Sequence, residues 1–423
     1  MQNRSNYPQR HLYIAVSTAQ SHVYRSGDAV RGVVRVHPQT RPLRVNITFR
    51  GRMKCAITIS HGQGSTTYKE KPDFFLHTLE LFSSAARSYD ITGLGVTQDD
   101  RVEIPFEFQF PERSELNPGS LWKKHRSTRF DSEAGGLLPP TYINNMRDSF
   151  IEYFLEAKLF STHRVIPDYE VRCPLTFLPD TPPSILDSWP LAHTNRVLAM
   201  QNQRGIWIRT HRLHPDYDPD EGIPNRIKHR LTKHRTTTPF VNFKVDASYP
   251  EVLFPGDSIP LTLFLEYVER SKEIPDPPPI YLRHVRVTLR SIARACIPRS
   301  SRSDLHDKYT LTTELLNIHY TQGDGLLLFD GLQLCSKKIP IATTPTFQTY
   351  GISLEHVVDI QAWLECAKER VRKTLAPQGK LVIVSRPRNP GVERAVPEMR
   401  GEQPPALEDD AVPPPYEEQG KNV

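Results

Sequence analysis

The stretch RVEIPFEFQF, residues 101–110, sets the first constraint on the fold. Val102, Ile104, Phe106, Phe108 and Phe110 alternate with Glu103, Pro105, Glu107 and Gln109. Successive side chains of an extended strand point to opposite faces, so this spacing gathers the apolar set on one side. Ile151, Tyr153, Leu155, Ala157 and Leu159 alternate in the same way. So do Ile352, Leu354, Val358, Ile360, Ala362 and Leu364, with His356 interrupting the run. Strands of this kind suit a sandwich, in which one face packs on a second sheet and the other meets water. The 38 prolines are spread through the 423 residues, and each removes a backbone donor. Long helices are disfavoured accordingly, and short strands joined by turns are favoured. The one helix predicted in the C-terminal part is 365–375, ECAKERVRKTL, and the fold class predicted is all-β.

The chain also repeats itself. VYRSGDAV (23–30) matches VLFPGDSI (252–259), VNITFR (45–50) matches VRVTLR (285–290), and PPTY (139–142) parallels TPTF (344–347). Three correspondences in one order predict two copies of one β domain. In both copies the Gly-Asp pair reads as a tight turn before a strand: glycine supplies positive φ and aspartate bonds nearby backbone. The expected organisation is a flexible start at 1–9, β-sandwiches at 10–180 and 206–386, a linker at 181–205, and a tail at 387–423. The tail has no periodicity and is rich in proline and glutamate, which predicts disorder.

Charge divides along the same line. The net charge is +6, yet the tail holds eight acidic residues against four basic ones, which leaves +10 on residues 1–386. A basic body points to an anionic partner surface. Arg226, Lys228, Arg230, Lys233 and Arg235 in NRIKHRLTKHR, and Lys123, Lys124, Arg126 and Arg129 near residue 125, are the candidates for contact with acidic lipid. No stacking platform or motif accompanies them, so nucleic acid is not expected. The five cysteines (Cys55, Cys173, Cys296, Cys335 and Cys366) form no CxxC pair. That argues against a disulfide framework and for a reduced, cytosolic setting. No signal peptide and no membrane-spanning run is read from the sequence.

Short motifs carry the functional signal. Pro-Pro-x-Tyr occurs as LPPTY (138–142), PPPIY (277–281) and VPPPYEEQ (412–419), where composition alone predicts about 0.1 matches. WW domains bind such segments as polyproline II helices, with the prolines in an aromatic groove and the tyrosine in an adjacent pocket. Docking needs an accessible, extended segment. Pro413, Pro414, Pro415 and Tyr416 in the tail meet that requirement. Pro278, Pro279 and Tyr281 form a possible second site, in which the prolines occupy a loop while Tyr281 enters a strand. Pro139, Pro140 and Tyr142 precede a long strand, and there the aromatic is expected in the core.

Read together, GDAVRGVVRV, VNITFRG, IPFEFQFP and LPPTY…FIEYFLEAKL resemble the N-terminal domain of the arrestin-like family. TPFVNFKVDASYPEVLFPGDSIPLTLFL and TPTFQTYGISLEHVVDIQAWLEC resemble its C-terminal domain. With the PPPY tail, the chain is similar to the fungal alpha-arrestins, the arrestin-related trafficking adaptors. The resemblance implies two immunoglobulin-like β-sandwiches that recognise a membrane transporter or receptor. It also implies a tail that recruits the WW domains of a HECT-type ubiquitin ligase, so that cargo is ubiquitinated and endocytosed. Such a protein is cytoplasmic, acts peripherally at the plasma membrane or endosomes, is no enzyme and needs no cofactor. An arrestin-like signalling scaffold, for instance in ambient-pH sensing, is the alternative.

Three further patterns are weaker. GDSIP (256–260) resembles the nucleophile block of GDS-type esterases, with Ser258 as nucleophile. That chemistry needs a serine opening a helix and an Asp/His pair, whereas an extended strand is predicted after Ser258. LLLFD (326–330) fits a clathrin box but precedes a predicted strand. His211, His214, His229 and His234 lack metal-ligand spacing, and no metal site is expected.

Overall fold

The computed structural model describes residues 11–387 except 20, 41, 63, 84–100, 121, 123–127, 144–147, 162–166, 182–195, 200–204, 216, 218–237, 300–302, 322, 324 and 376–380. The N-terminal half contributes β1 (Leu12–Val16), β2 (Val23–Tyr24), β3 (Ala29–Val36), β4 (Arg44–His61), β5 (Gly64–Glu70), β6 (Asp73–Ser83), β7 (Val102–Gln109), β8 (Tyr142–Ile143), β9 (Phe150–Phe160) and β10 (Tyr169–Phe177). The C-terminal half contributes β11 (Arg196–Ala199), β12 (Ile206–Arg209), β13 (Phe240–Pro250), β14 (Val252–Leu253), β15 (Ser258–Arg270), β16 (Ile280–Ile297), β17 (Leu305–His319), β18 (Leu326–Leu327), β19 (Leu332–Lys338), β20 (Phe347–Gln348), β21 (Ile352–Cys366), β22 (Glu369–Leu375) and β23 (Val382–Ile383). Short 3-10 turns stand at 38–40 and 211–213. The fold is all-β and sandwich-like.

The strand order is duplicated. One sheet of the N-terminal half runs β1-β3-β7, and its counterpart runs β13-β15-β19, with β11 and β12 added to β13. The other sheet joins β10, β9 and β4 in order, with β5 and β6 on β4; its counterpart joins β22, β21 and β16, with β17 on β16. Even the minor pairs recur. β2 lies parallel to β10 as β14 lies parallel to β23, so β22 and β23 divide between them the two pairings that β10 makes alone, and β8 caps β9 as β20 caps β21.

Both Gly-Asp turns adopt one geometry. Gly27 (φ +78°) and Gly256 (φ +90°) sit in the left-handed region that favours glycine. Asp28 accepts the Arg25 amide at 2.7 Å, and Asp257 accepts the Phe254 amide at 3.1 Å. Gly27 N–H reaches the Phe110 carbonyl at 3.0 Å, and Gly256 N–H reaches the Ile339 carbonyl at 2.9 Å. Ser258 opens strand β15 and not a helix.

Two expectations are corrected. The segment 365–375 is not a helix but a β-hairpin: β21 ends at Cys366, β22 starts at Glu369, and Ala367 and Lys368 turn the chain with φ of 49° and 65°. Local helix formers lose here because Val371 and Leu375 alternate inward and their backbone completes the ladder to Leu364 and Ile360. His356 does not interrupt its strand. Residues 352, 354, 356, 358, 360, 362 and 364 are all buried, with His356 on the core side. In addition, Arg196–Ala199, inside the expected linker, pairs with β13 as β11.

The two cores differ in material. Phe49, Phe75, Phe110, Tyr153 and Phe177 fill the N-terminal sandwich, with ring centroids 4.7 Å apart for Phe49–Phe75 and 4.8 Å for Phe110–Phe177. The C-terminal core is mainly aliphatic, built on residues such as Val245, Leu263, Val287 and Ile360. The N-terminal core continues without a break onto Ala293, Ala295, Tyr350 and Ile352 of the other half.

Candidate functional site

The three proline-tyrosine segments fall in three different settings. Pro139, Pro140 and Tyr142 are buried, and Tyr142 opens β8 on the edge of β9. The Pro139 carbonyl accepts the Tyr153 hydroxyl at 2.7 Å. The Tyr142 ring stands 5.2 Å from Phe347 in a T-shaped pair. Tyr142 and Phe347 are equivalent positions of the repeat, PPTY and TPTF, so the two copies meet through the same residue of each.

Around this contact lies the joint between the halves. Asp131 N–H donates to the Thr349 carbonyl at 2.9 Å, Gln348 Nε2 donates to Asp131 Oδ1 at 2.9 Å, and the Tyr350 hydroxyl donates to the Leu116 carbonyl at 2.7 Å. Cys55 Sγ donates to the Cys296 carbonyl at 3.4 Å, and Thr181 bonds the Ser385 carbonyl. A Cβ on Gly351 would stand 2.5 Å from the Trp122 ring, so the halves approach as closely as glycine permits. Beside the joint opens a cleft of about 670 Å³, lined from both sides by Asp131, Pro139, Thr181, Phe347, Gln348 and Ser385 among others. Burial raises the Asp131 carboxyl against the lowering influence of the Gln348 amide.

Pro278, Pro279 and Tyr281 stand elsewhere. Pro277 and Pro279 are exposed and Pro278 is half-buried, its carbonyl accepting the Tyr267 hydroxyl at 2.6 Å. The loop borders a groove of about 450 Å³ that Tyr281 also lines. The backbone of Tyr281 is paired on both sides, with Leu327 of β18 and Glu365 of β21. A WW domain would meet accessible prolines here, but a tyrosine fixed in a ladder. Glu365, at the same rim, is held below the usual carboxylate range by hydrogen bonds from Arg283 and Arg370, against the raising effect of burial.

Pro413, Pro414, Pro415 and Tyr416 lie outside the described residues, as do Arg226, Lys228, Arg230, Lys233 and Arg235 and also Lys123, Lys124 and Arg126. Arg129 is exposed at the rim of the cleft between the halves. The LLLFD segment is divided: Leu328 is buried and its N–H donates to the Ile280 carbonyl at 2.8 Å, while Leu327 and Phe329 are exposed.

Sequence reasoning passed over two polar features. His356 is 1% exposed, its Nε2 donating to the Thr344 carbonyl at 3.0 Å and its Nδ1 meeting the Ser291 hydroxyl at 2.9 Å. Burial pushes its pKa down to about 4, outweighing the raising effects of that carbonyl and Glu355. Cys296, Asp304 and His306 converge at the far end of the β16–β17 hairpin, their ligand atoms all within 4.8 Å of one another. The C-x7-D-x-H spacing of Cys296, Asp304 and His306 was the available signal for this cluster. No disulfide joins any of the five cysteines, and no helix among the described residues is long and apolar enough to cross a membrane. No protein-family model matches the chain, and no match to a curated protein is found.

Proposed function

We propose that this chain is a non-enzymatic, arrestin-like adaptor. In this reading its double-sandwich body engages a membrane transporter or receptor, and its tail recruits a WW-domain HECT-type ubiquitin ligase that marks the cargo for endocytosis. The observation that carries the proposal is the disposition of the three proline-tyrosine segments. Tyr142 is a buried part of the joint between the halves, and Tyr281 is a paired strand residue. Recruitment therefore falls to Pro413, Pro414, Pro415 and Tyr416, in a segment whose acidic, proline-rich composition favours extended polyproline II. The duplicated strand order supports the family part of the reading, because a pair of like sandwiches offers a broad, jointed surface for a membrane protein. The excess of positive charge on residues 1–386 fits work beside an anionic, cytoplasmic membrane face.

The test combines proximity labelling with ubiquitin profiling in the native cell, using the full chain and its Tyr416→Ala variant. The membrane protein labelled by both forms should be ubiquitinated with the wild type and spared with Tyr416→Ala. Equal ubiquitination of every labelled membrane protein with both forms would sink the adaptor reading.

A further inference from the structure

We propose that Cys296, Asp304 and His306 form a binding site for a zinc-class divalent metal ion at the tip of the β16–β17 hairpin. Antiparallel register sets Cys296 opposite His306, on the same face of the ladder. Asp304 immediately precedes β17 and brings a carboxylate oxygen beside the other two ligand atoms. The three ligand atoms lie within 4.8 Å of one another. Tetrahedral zinc with thiolate, imidazole and carboxylate ligands spaces those atoms about 3.3–3.6 Å apart, so closure takes side-chain adjustments on the order of 1 Å. The donor set selects the metal. A thiolate and an imidazole favour zinc and its neighbours in the first transition row over the oxygen-seeking calcium and magnesium ions.

The surrounding structure holds the ligands in place, as metal sites require. The Cys296 amide donates to the Gly351 carbonyl at 2.8 Å, and the Cys296 carbonyl accepts the Cys55 thiol. Asp304 Oδ1 accepts the Arg299 amide at 3.3 Å, which orients the carboxylate. Burial grades from Cys296, fully buried, through Asp304 to exposed His306, so an ion enters from the His306 side and water completes its shell there. Binding converts the thiol to a metal-bound thiolate and releases its proton to solvent. The location gives the ion a structural role. Arg299, in the loop between Cys296 and Asp304, lies over the Tyr68 ring of β5 at 4.9 Å, and Cys55 belongs to β4. A metal at this tip would fix the hairpin end that spans the joint between the halves.

The experiment titrates the full-length, metal-free, reduced chain with Co(II), followed by Zn(II). The expected result is a thiolate-to-cobalt charge-transfer band that saturates at one ion per chain and is displaced by Zn(II). It should persist in Cys335→Ser, which removes the exposed cysteine. His306→Ala alters an exposed residue and leaves the fold intact. It should lose more affinity than the roughly 10–100-fold that removal of an outer-shell partner costs. Zn(II) should raise the melting temperature of the wild type and leave that of His306→Ala unchanged. Absence of the band, its survival in His306→Ala with equal affinity, or equal stabilisation by Mg(II) and Zn(II) would each overturn the site.

Discussion

Tyr153 in the N-terminal half and His356 in the C-terminal half occupy the same place in the repeat and do the same work. Each stands on the central long strand of its sheet, buried, and donates to the carbonyl of the first residue of the PPTY or TPTF segment: Tyr153 to Pro139, His356 to Thr344. The backbone contact is what the duplicated fold demands, and either donor supplies it. Their acid–base chemistry is unlike. Burial drives the Tyr153 phenol far above its ordinary range, so it stays neutral throughout. Burial drives the His356 imidazole down to about 4, so it is neutral in the fold but takes a proton readily once exposed. A second pair shows the same division. The Gly-Asp turns are alike in backbone, yet each ties down the chain leaving its sandwich with opposite polarity: Arg25 reaches Asp180 at 3.5 Å, whereas Asp257 receives Arg386 at 2.6 Å. Topology is repeated; the side-chain chemistry that fastens it is free to diverge.

The largest effect should come from the residue through which the copies meet. Truncating buried Tyr142 to alanine removes an aromatic packed on Phe347 and should cost on the order of 3–5 kcal/mol. Tyr142→Ala should therefore lower the melting temperature and solubility; a variant that melts like the wild type would break the view of Tyr142 as part of the joint.

Next comes acid. Because His356 is depressed in the fold, the unfolded chain binds more protons once pH falls below about 6.5, and the folded chain catches up near pH 4. The stability it contributes is complete above about pH 6.5 and is lost on the way down to pH 4, amounting to roughly 3 kcal/mol. Calorimetry across that window should show a shallower loss for His356→Gln than for the wild type. The Tyr153 position should contribute no slope there. Identical slopes with and without His356 would contradict the comparison.

The turns should give smaller, matched effects. Asp28→Ala and Asp257→Ala each strip a backbone N–H of its side-chain acceptor and should cost about 0.5–2 kcal/mol, by analogy with helix-cap aspartates. Arg386→Ala should cost less than about 1 kcal/mol, because Arg386 is 60% exposed and its ion pair is screened. Denaturant melts on the three variants test the ranking, and an Arg386→Ala cost above that of Asp257→Ala would reverse it.

Much of this architecture was legible. The period-two alternation at 102–110, 151–159 and 352–364 marked strands directly, and the Gly-Asp repeat marked the duplicated turn. The hairpin at 366–369 was not legible, because Glu365, Lys368, Glu369 and Arg370 favour helix locally and only pairing with β21 overrides them. His356 read as a break in a pattern because its polarity is satisfied by Thr344 and Ser291, partners distant in sequence. The joint was hidden for the same reason: Gly351 against Trp122, and Tyr350 against Leu116, are contacts between segments more than two hundred residues apart. Of the docking candidates, the sequence placed Tyr142 in the core and Tyr281 at a strand entry, as their burial and pairing bear out.

The adaptor reading rests on which tyrosine docks, and titration of the full chain and its Tyr142→Ala, Tyr281→Ala and Tyr416→Ala variants with a purified WW domain, alongside thermal melts, tests it most directly. Tyr416→Ala should abolish binding and leave the melting temperature in place. Tyr281→Ala should keep the affinity of the wild type, and Tyr142→Ala should bind as the wild type does for as long as it remains folded. Undiminished WW binding by Tyr416→Ala, or its loss in a folded Tyr142→Ala or Tyr281→Ala, would contradict the account.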